Sequence, residues 1–367
     1  MINFLILCSI IVLSLIFRKS RIVEVIDFVF LYIWMAFASV NLADRNVYIS
    51  KYINSDLWGS ATEYLFNSFL QFCQKNGLTI SQFFQLLSLL ILLILFLGIH
   101  RLTNNQNVVL ACYMIFYYCI DTVQLRFAIA GAVVILAFSF LFKKSNNWKN
   151  YLYFGLLILV ASMFHASAIA CEVYLLVPIL NIKKSVLIAI IIGILGIVTV
   201  RTGWIIWIIG YFLGGKVQVI NSDYSINMQL YTVFRVIIVC LEYVSFMLVW
   251  KRNKDTLAHG AAKGTILNES KRINRGLIIN IISLSVIGLI PFAVDWYRIQ
   301  QPVVMLNYCI YASCLLPEQA NSWNKRNIKL LTFMLIVAIV NFYLLVGHSA
   351  SLMNSIVHQL LFENQIL

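Results

Sequence analysis

The chain has 367 residues, of which 62% are hydrophobic and only 11% are charged, with a formal net charge of +13 at pH 7. So apolar a composition exceeds what a soluble domain needs to bury one core, and it excludes an ordinary soluble globular protein. The positive charge does not by itself indicate nucleic acid, because membrane proteins collect Lys and Arg in their cytoplasmic loops. The eight cysteines show neither CxxC pairing nor a disulfide framework, so we expect them to be small core residues.

Apolar runs long enough to cross about 30 Å of hydrocarbon recur along the chain. They lack the strict alternation of outer-membrane strands, so helices are expected to satisfy the backbone in lipid. The sequence therefore predicts an all-α, polytopic integral membrane protein with about twelve transmembrane helices, in a single domain over residues 1–367. The predicted spans are Ile2–Phe17, Ile22–Val40, Thr79–Ile99, Val108–Ile120, Val123–Phe142, Tyr151–Phe164, Ala166–Ile182, Ser185–Val200, Leu230–Trp250, Leu277–Val294, Ile299–Leu316 and Ile328–Val346.

The basic residues divide unevenly between alternate gaps of this pattern. Of the 27 Lys and Arg residues, 19 lie in one set of gaps, and eight lie in the other set or at its adjoining helix ends. The positive-inside rule therefore predicts that the first set is cytoplasmic, which puts both termini outside. The first apolar run precedes the basic cluster Arg18–Arg21, the reverse of a cleavable signal peptide, so it is expected to remain as a span.

Three connecting segments carry separate predictions. Residues 41–78 form an outer loop with a helical stripe from Ala61 to Gln74, which lies either in the membrane interface or across the outer end of the bundle. Residues 201–229 form an outer loop that lies on the surface or re-enters the membrane, because Trp204–Leu213 is apolar but too short to span. Residues 251–276 contain glycines and scattered charge, and they predict a flexible cytoplasmic loop.

Outer-side arginines at helix edges are the main candidates for chemistry. Arg126, Arg235 and Arg298 enter the bundle at one depth from different predicted helices. A guanidinium is a planar, permanent cation that matches phosphate oxygens, so these residues predict a diphosphate-binding site. The alternative is that each arginine snorkels to the interface or pairs with a carboxylate, as Arg298 can with Asp295. For Arg201, at a plain helix end, snorkelling is the preferred interpretation.

Two residues are candidate catalytic bases. His165, in the segment SMFHASAIA, lies at a predicted outer turn on the same side as Arg126, and a structural hydrogen-bonding role is its alternative. Asp44 heads the first large outer loop, and it is followed by Tyr48 and Tyr52, whose rings can stack on sugar faces. No His or Cys partner lies at ligand spacing, so neither a metal ion nor a cofactor is predicted.

These features resemble the EpsG-like branch of the Wzy-type bacterial polysaccharide polymerases. The segment LRFAIAGAVVILAFSFLFKKSNNWKNYLYFGLLILVASMFHASAIA is similar to that family's outer Arg opening a helix, its basic cytoplasmic turn and its His followed by small residues. Asp44, Tyr48 and Tyr52 look like its Asp-Tyr and Tyr pattern, with extra residues here after Asp44. Glu63-Tyr64 and DWYRIQQPVVMLNY resemble the start of its outer helix and its penultimate outer turn. The likeness runs from the second predicted helix to the eleventh.

The resemblance implies a GT-C-like, metal-independent membrane glycosyltransferase in a bacterial plasma membrane, acting on undecaprenyl-diphosphate-linked glycans. The growing chain is then transferred from its lipid diphosphate to the non-reducing end of a new repeat unit at the outer face. Arg126, Arg235 and Arg298 stabilise the leaving diphosphate, and His165 or Asp44 deprotonates the acceptor hydroxyl. The implied partners are the lipid bilayer and a flippase and a chain-length regulator of the same pathway, with no nucleic acid.

Three other functions fit parts of the pattern. A flippase or transporter for the same lipid needs basic residues open to both faces, whereas the embedded basic residues predicted here cluster on one side. A membrane acyltransferase takes a cytoplasmic acyl donor, whereas His165 is predicted outside. An O-antigen-type ligase, which moves the finished glycan to another acceptor, is mechanistically so close that the sequence leaves it open beside the polymerase.

Overall fold

The computed structural model describes residues 2–54, 63–143, 147–201, 226–260, 263–290, 294–315 and 325–364. Over these ranges the chain is all-α, as the sequence predicts, with sixteen α-helices. The α-helices are α1 Ile2–Ile16, α2 Arg21–Ala36, α3 Arg45–Ile53, α4 Tyr64–Lys75, α5 Ile80–Leu102, α6 Gln106–Ile115, α7 Tyr117–Val123, α8 Leu125–Leu141, α9 Trp148–Phe164, α10 Ile182–Arg201, α11 Ile226–Gly260, α12 Lys263–Ser283, α13 Gln301–Ser313, α14 Lys325–Phe342, α15 Ala350–Leu352 and α16 Gln359–Leu361. The 3₁₀ helices are Ala166–Leu176, Leu284–Gly288 and Val294–Gln300, and the π-helices are Tyr343–Gly347 and Met353–His358.

The number of candidate membrane spans is smaller than the predicted twelve. Three helical stretches of the described chain are long and apolar enough to span: Ile80–Leu102, Leu230–Asn253 and Asn327–Gly347. A fourth is the pair α6 and α7, which is bent by 65°. Helices α1, α8 and α9 are apolar but have only 15, 17 and 17 residues, so each is about 22–26 Å long. Counting such short runs as full spans is wrong for this structure, although its candidate spans indicate an integral membrane protein.

Helix α8 packs between α5 and α9 in the described fold. It is apolar on almost every side, as expected for a helix that is buried all round rather than on one face. Its contact with α5 is close because Gly98 has no side chain. A Cβ at that position would lie 2.9 Å from Cγ2 of Ile135 and 3.0 Å from the backbone nitrogen of Leu136. This packing holds the first turn of α8, with Arg126, at the end of the bundle where α9 finishes.

A buried polar network joins α11, α12, α13 and α14. Glu242 is fully buried, and its two carboxylate oxygens accept hydrogen bonds from Nδ2 of Asn307, at 2.9 Å, and from Nδ2 of Asn341. Asn307 also exchanges two side-chain hydrogen bonds with Asn280, at 2.8 and 3.0 Å. We call these four side chains the Glu242 network. A buried carboxylate is tolerated among apolar helices only when donors of this kind surround it.

The segment after α2 covers one end of the bundle with α3 and α4, which we call the α3–α4 cap. Phe66, Leu70 and Cys73 form the buried face of α4, so this helix covers the bundle rather than standing apart from it. Each cap helix follows a residue in the left-handed region, Asp44 with φ 64° and Glu63 with φ 66°. Such backbone costs of order 1–3 kcal/mol for a residue other than glycine, and it tends to occur near functional sites.

Two further predicted loops compare differently with the structure. The predicted flexible loop at residues 251–276 is instead helical where it is described, because α11 continues to Gly260 and α12 begins at Lys263. Lys, Arg and Glu are good helix formers, so scattered charge alone is a poor indicator of a flexible loop. The predicted re-entrant loop at residues 201–229 lies outside the described residues, apart from the end of α10 and the start of α11.

Candidate functional site

A cavity of about 160 Å³ lies between α7, α11, α13 and the segments around them. Two of the predicted diphosphate-binding residues, Arg235 and Arg298, line it, and we call it the arginine cavity. Its described lining carries two guanidinium groups and no carboxylate, so the space suits an anionic ligand. The lining residues are Ile120, Val123, Gln124, Arg235, Tyr297, Arg298, Gln301, Leu345, Val346, Leu352 and Ile356.

His165 lies between α9 and the following 3₁₀ helix, and its ring contacts Arg298. Nη1 of Arg298 lies 3.2 Å from Nε2 of His165. Because a guanidinium only donates hydrogen bonds, Nε2 must accept, and the imidazole is then neutral with its proton on Nδ1. Nδ1 lies 2.8 Å from Oγ of Ser167, which can accept that proton. The backbone N–H of Ser167 also points at Nδ1, at 3.4 Å, which would make Nδ1 an acceptor. We assign the Nδ1 proton from the two shorter contacts, to Arg298 and to the Ser167 hydroxyl.

Arg235 is held against an aromatic ring at the cavity wall. Its Cζ lies 5.0 Å from the ring centroid of Tyr297, within the range of a cation–π interaction. Tyr297 is itself fixed, because its side chain is buried and its hydroxyl lies 3.1 Å from that of Tyr117. This contact orients the guanidinium of Arg235 without neutralising its charge.

The third predicted arginine, Arg126, contacts the α3–α4 cap. Its Nη1 donates to Oε2 of Glu63 at 2.5 Å. Its Cζ lies 5.7 Å from the ring centroid of Tyr48 and 5.9 Å from that of Phe66. Its backbone N–H donates to the Tyr48 hydroxyl at 3.4 Å. The described lining of the arginine cavity includes the nearby Gln124 but not Arg126, so the structure brings two of the three arginines together and holds the third in the cap.

The residues predicted around Asp44 also lie in the cap. Asp44 is exposed at the start of α3, and its side chain makes no capping hydrogen bond. Tyr48 is 2% exposed and Tyr52 is 7% exposed, and the Tyr52 hydroxyl donates to the carbonyl of Leu78 at 2.5 Å. Burial raises the pKa of the Tyr48 hydroxyl, against the opposing charge of Arg126, so it stays protonated. Neither tyrosine offers an open ring face in this arrangement, and the roles of these three residues stay predictions.

Most of the chain, residues 28–360, matches a known protein family, the EpsG family. The chain belongs to the EpsG family. This family is linked to exopolysaccharide synthesis, and the matched range includes every candidate site residue from Asp44 to Arg298. No curated protein and no solved structure matches the chain. The resemblance drawn from the sequence is thus confirmed at the level of the EpsG family.

Sequence reasoning does not single out several residues of this EpsG-family site. Glu63 is noted only as the acidic start of an outer helix, yet it is the ion-pair partner of Arg126. A charge inside a helical bundle needs a partner. The few carboxylates predicted on the outer side were therefore the candidates for the partner of Arg126. Tyr297 directly precedes Arg298 and Gln301 follows it by three residues, but their side chains carry no charge that would mark them. The sequence offers no indicator for Ser167 beyond its position two residues after His165.

Proposed function

We propose that this EpsG-family protein is a polysaccharide polymerase that joins undecaprenyl-diphosphate-linked repeat units at the outer face of a bacterial plasma membrane. In this reaction the growing chain leaves its lipid diphosphate and is attached to the non-reducing end of a new unit. The proposal depends above all on one observation: Arg298 contacts His165 beside a cavity that Arg235 also lines.

The two cavity arginines supply the electrostatic part of the reaction. Negative charge develops on the diphosphate as its bond to the anomeric carbon breaks, and fixed donors aimed at that charge lower the barrier. Arg235 is oriented by Tyr297, and Arg298 is oriented by His165. A hydrogen bond between charged groups contributes about 1.5–3 kcal/mol, more than a neutral one.

His165 supplies the base for the acceptor hydroxyl. Its Nε2 carries the lone pair that Arg298 contacts in this structure, and binding of a diphosphate to Arg298 would release that lone pair. Nε2 then takes the proton of the acceptor hydroxyl, while the acceptor oxygen bonds to the anomeric carbon and the diphosphate leaves. The bond from Nδ1 to Ser167 keeps the ring in the required tautomer and orientation. Asp44 remains the alternative base.

Arg126 is proposed to bind the diphosphate from the side of the α3–α4 cap. Its guanidinium pairs with Glu63, so a phosphate oxygen would have to replace that carboxylate. Glu63 sits on strained backbone at φ 66°, which limits how firmly the cap holds this partner.

The test is glycan polymerisation by purified protein in liposomes, supplied with lipid-linked repeat units extracted from the native host. We expect wild-type protein to produce a ladder of glycan lengths and Arg298→Ala to produce none at normal abundance. Arg101→Ala, an exposed arginine at the other end of α5 from the cap, is the matched control and should retain the ladder. Single repeat units after incubation with wild-type protein would overturn the proposal. Movement of these units across the bilayer would then indicate a flippase. Transfer of a finished chain to another acceptor would indicate a ligase.

A further inference from the structure

A second, smaller cavity lies beside the arginine cavity. It has a volume of about 20 Å³, and its polar lining consists of Tyr117, Asp121 and Gln301. The rest of its wall is formed by apolar or small residues of α5, α8 and α13. Gln301 lines both cavities, so its side chain forms part of the wall of each. A space of this size accommodates one water molecule or one hydroxyl group.

The amide groups around these cavities have unused hydrogen-bonding capacity. The side-chain oxygens of Gln124 and Gln301 are buried and have no hydrogen-bond partner among the described residues. Both polar side-chain atoms of the preceding Gln300 also have no partner among the described residues, although Gln300 lines neither cavity. Gln300 is fully buried, and Gln301 is only 5% exposed. An unsatisfied buried polar atom costs about 1–3 kcal/mol, so the two amide oxygens in the wall of the arginine cavity favour a ligand that bonds to them.

Asp121 adds a strong acceptor to the same place. Its Oδ2 accepts a hydrogen bond from the hydroxyl of Tyr113 at 2.9 Å, and Tyr113 is fully buried on α6. The carboxylate is therefore held in one orientation while it lines the smaller cavity. With the amide oxygen of Gln301 beside it, this wall is rich in acceptors, and it suits a ligand that donates hydrogen bonds.

We propose that Asp121 and Gln301 form a binding site for a sugar hydroxyl of the lipid-linked substrate. The inference rests on the proposed function, because a diphosphate in the arginine cavity places its attached sugar next to Gln301. The arginines then bind the diphosphate, which every such lipid carries, whereas Asp121 and Gln301 distinguish the sugar. A site built to hydrogen-bond a hydroxyl rejects a ligand that lacks it, because its own buried polar groups stay unsatisfied.

The experiment measures the binding of two probes to the full-length protein in nanodiscs. One probe is undecaprenyl diphosphate, and the other is the undecaprenyl-diphosphate-linked repeat unit purified from the native host. Asp121→Asn and Gln301→Leu should each weaken binding of the sugar-bearing lipid by about tenfold and leave the bare lipid diphosphate within about twofold of wild type. Because Gln301→Leu removes an unsatisfied amide oxygen, it should not lower the midpoint of thermal unfolding.

Glu172→Gln is the matched control, since Glu172 is a partly exposed carboxylate outside both cavities, and it should bind both probes normally. Tyr113→Phe removes only the hydroxyl that holds Asp121. It should weaken the binding of the sugar-bearing lipid less than Asp121→Asn does. Unchanged binding of the sugar-bearing lipid by Asp121→Asn and Gln301→Leu would overturn the inference, as would equal weakening of both probes. Full binding of both probes by Arg298→Ala would instead overturn the proposed function. The sugar site would still be judged by whether Asp121→Asn and Gln301→Leu weaken one probe more than the other.

Discussion

The Glu242 network and the walls of the two cavities are both buried polar regions, but they differ in how fully their hydrogen bonds are satisfied. In the network, both oxygens of Glu242 accept hydrogen bonds, and Asn280 and Asn307 each donate to the other. Of the four side chains, Asn341 alone keeps a buried oxygen without a partner in the described structure. Such a region holds helices together and fixes one packing arrangement.

The cavity walls contrast with this arrangement. Gln124 and Gln301 line the arginine cavity, and their buried side-chain oxygens have no partner in the part of the chain that the structure describes. Arg235 and Arg298 line the same cavity, and Arg298 contacts the imidazole of His165. Unsatisfied groups lower the stability of the folded protein, so we interpret the amide oxygens that line the cavity as groups available to a ligand. Variants in the network should therefore change stability, and variants at the cavities should change turnover or affinity.

The largest effect on turnover is expected from His165→Gln. Glutamine keeps the ability to form hydrogen bonds but cannot serve as a base near neutral pH. General-base catalysis typically contributes about 10²- to 10⁴-fold, so polymerisation in liposomes should fall within that range. The midpoint of thermal unfolding should stay near that of wild type. Near-normal turnover would remove His165 as the base and transfer this assignment to Asp44.

Arg126→Lys should lower kcat/KM by about ten- to a hundredfold. A lysine ammonium is a point charge that can still pair with Glu63, but it cannot hold two phosphate oxygens at once. The measurement is the same polymerisation assay at several substrate concentrations. Arg201→Lys, at the end of α10, is the control and should be tolerated. Wild-type polymer from Arg126→Lys would mean that Arg126 serves only to hold the cap.

Ser167→Ala should have a smaller effect, about two- to tenfold on kcat with little change in KM. The substitution removes the hydroxyl that accepts the Nδ1 proton of His165, so the ring is less firmly oriented. Ser167→Thr keeps a hydroxyl and should restore turnover. The dependence of kcat on pH should shift in the alanine variant, because the second partner of the imidazole is gone. If Ser167→Ala lowers the abundance of the protein and Ser167→Thr does not restore it, the role of Ser167 is purely structural.

Glu242→Gln should change turnover least, within about twofold, while lowering the midpoint of thermal unfolding in detergent. One oxygen becomes an amide that faces an asparagine amide, and an unsatisfied pair of this kind costs about 1–3 kcal/mol. Glu242→Ala should lower the midpoint further, because both Asn307 and Asn341 lose their acceptor. Lost turnover with unchanged thermal stability would contradict the division between a supporting network and a binding site.

Several features of this protein follow from the sequence by itself. Its apolar composition requires a membrane environment and an all-α fold, because lipid supplies no partners for open backbone groups. The positions of Arg126, Arg235, Arg298 and His165 at helix edges predict a site at one end of the bundle. These predictions depend on local periodicity and on the high cost of charge in lipid, which act on each segment separately.

Other features were decided only by the tertiary structure. Hydropathy measures the length of an apolar run but not whether it bends or stops short, so the part of the chain that the structure describes has three or four candidate spans instead of the twelve predicted. Likewise, the sequence does not determine which helix ends contact each other in the fold. Arg298 contacts His165, 133 residues away, and Arg126 contacts Glu63, 63 residues away. Such pairs form because packed helices bring distant side chains together, and no pattern along the chain records that packing.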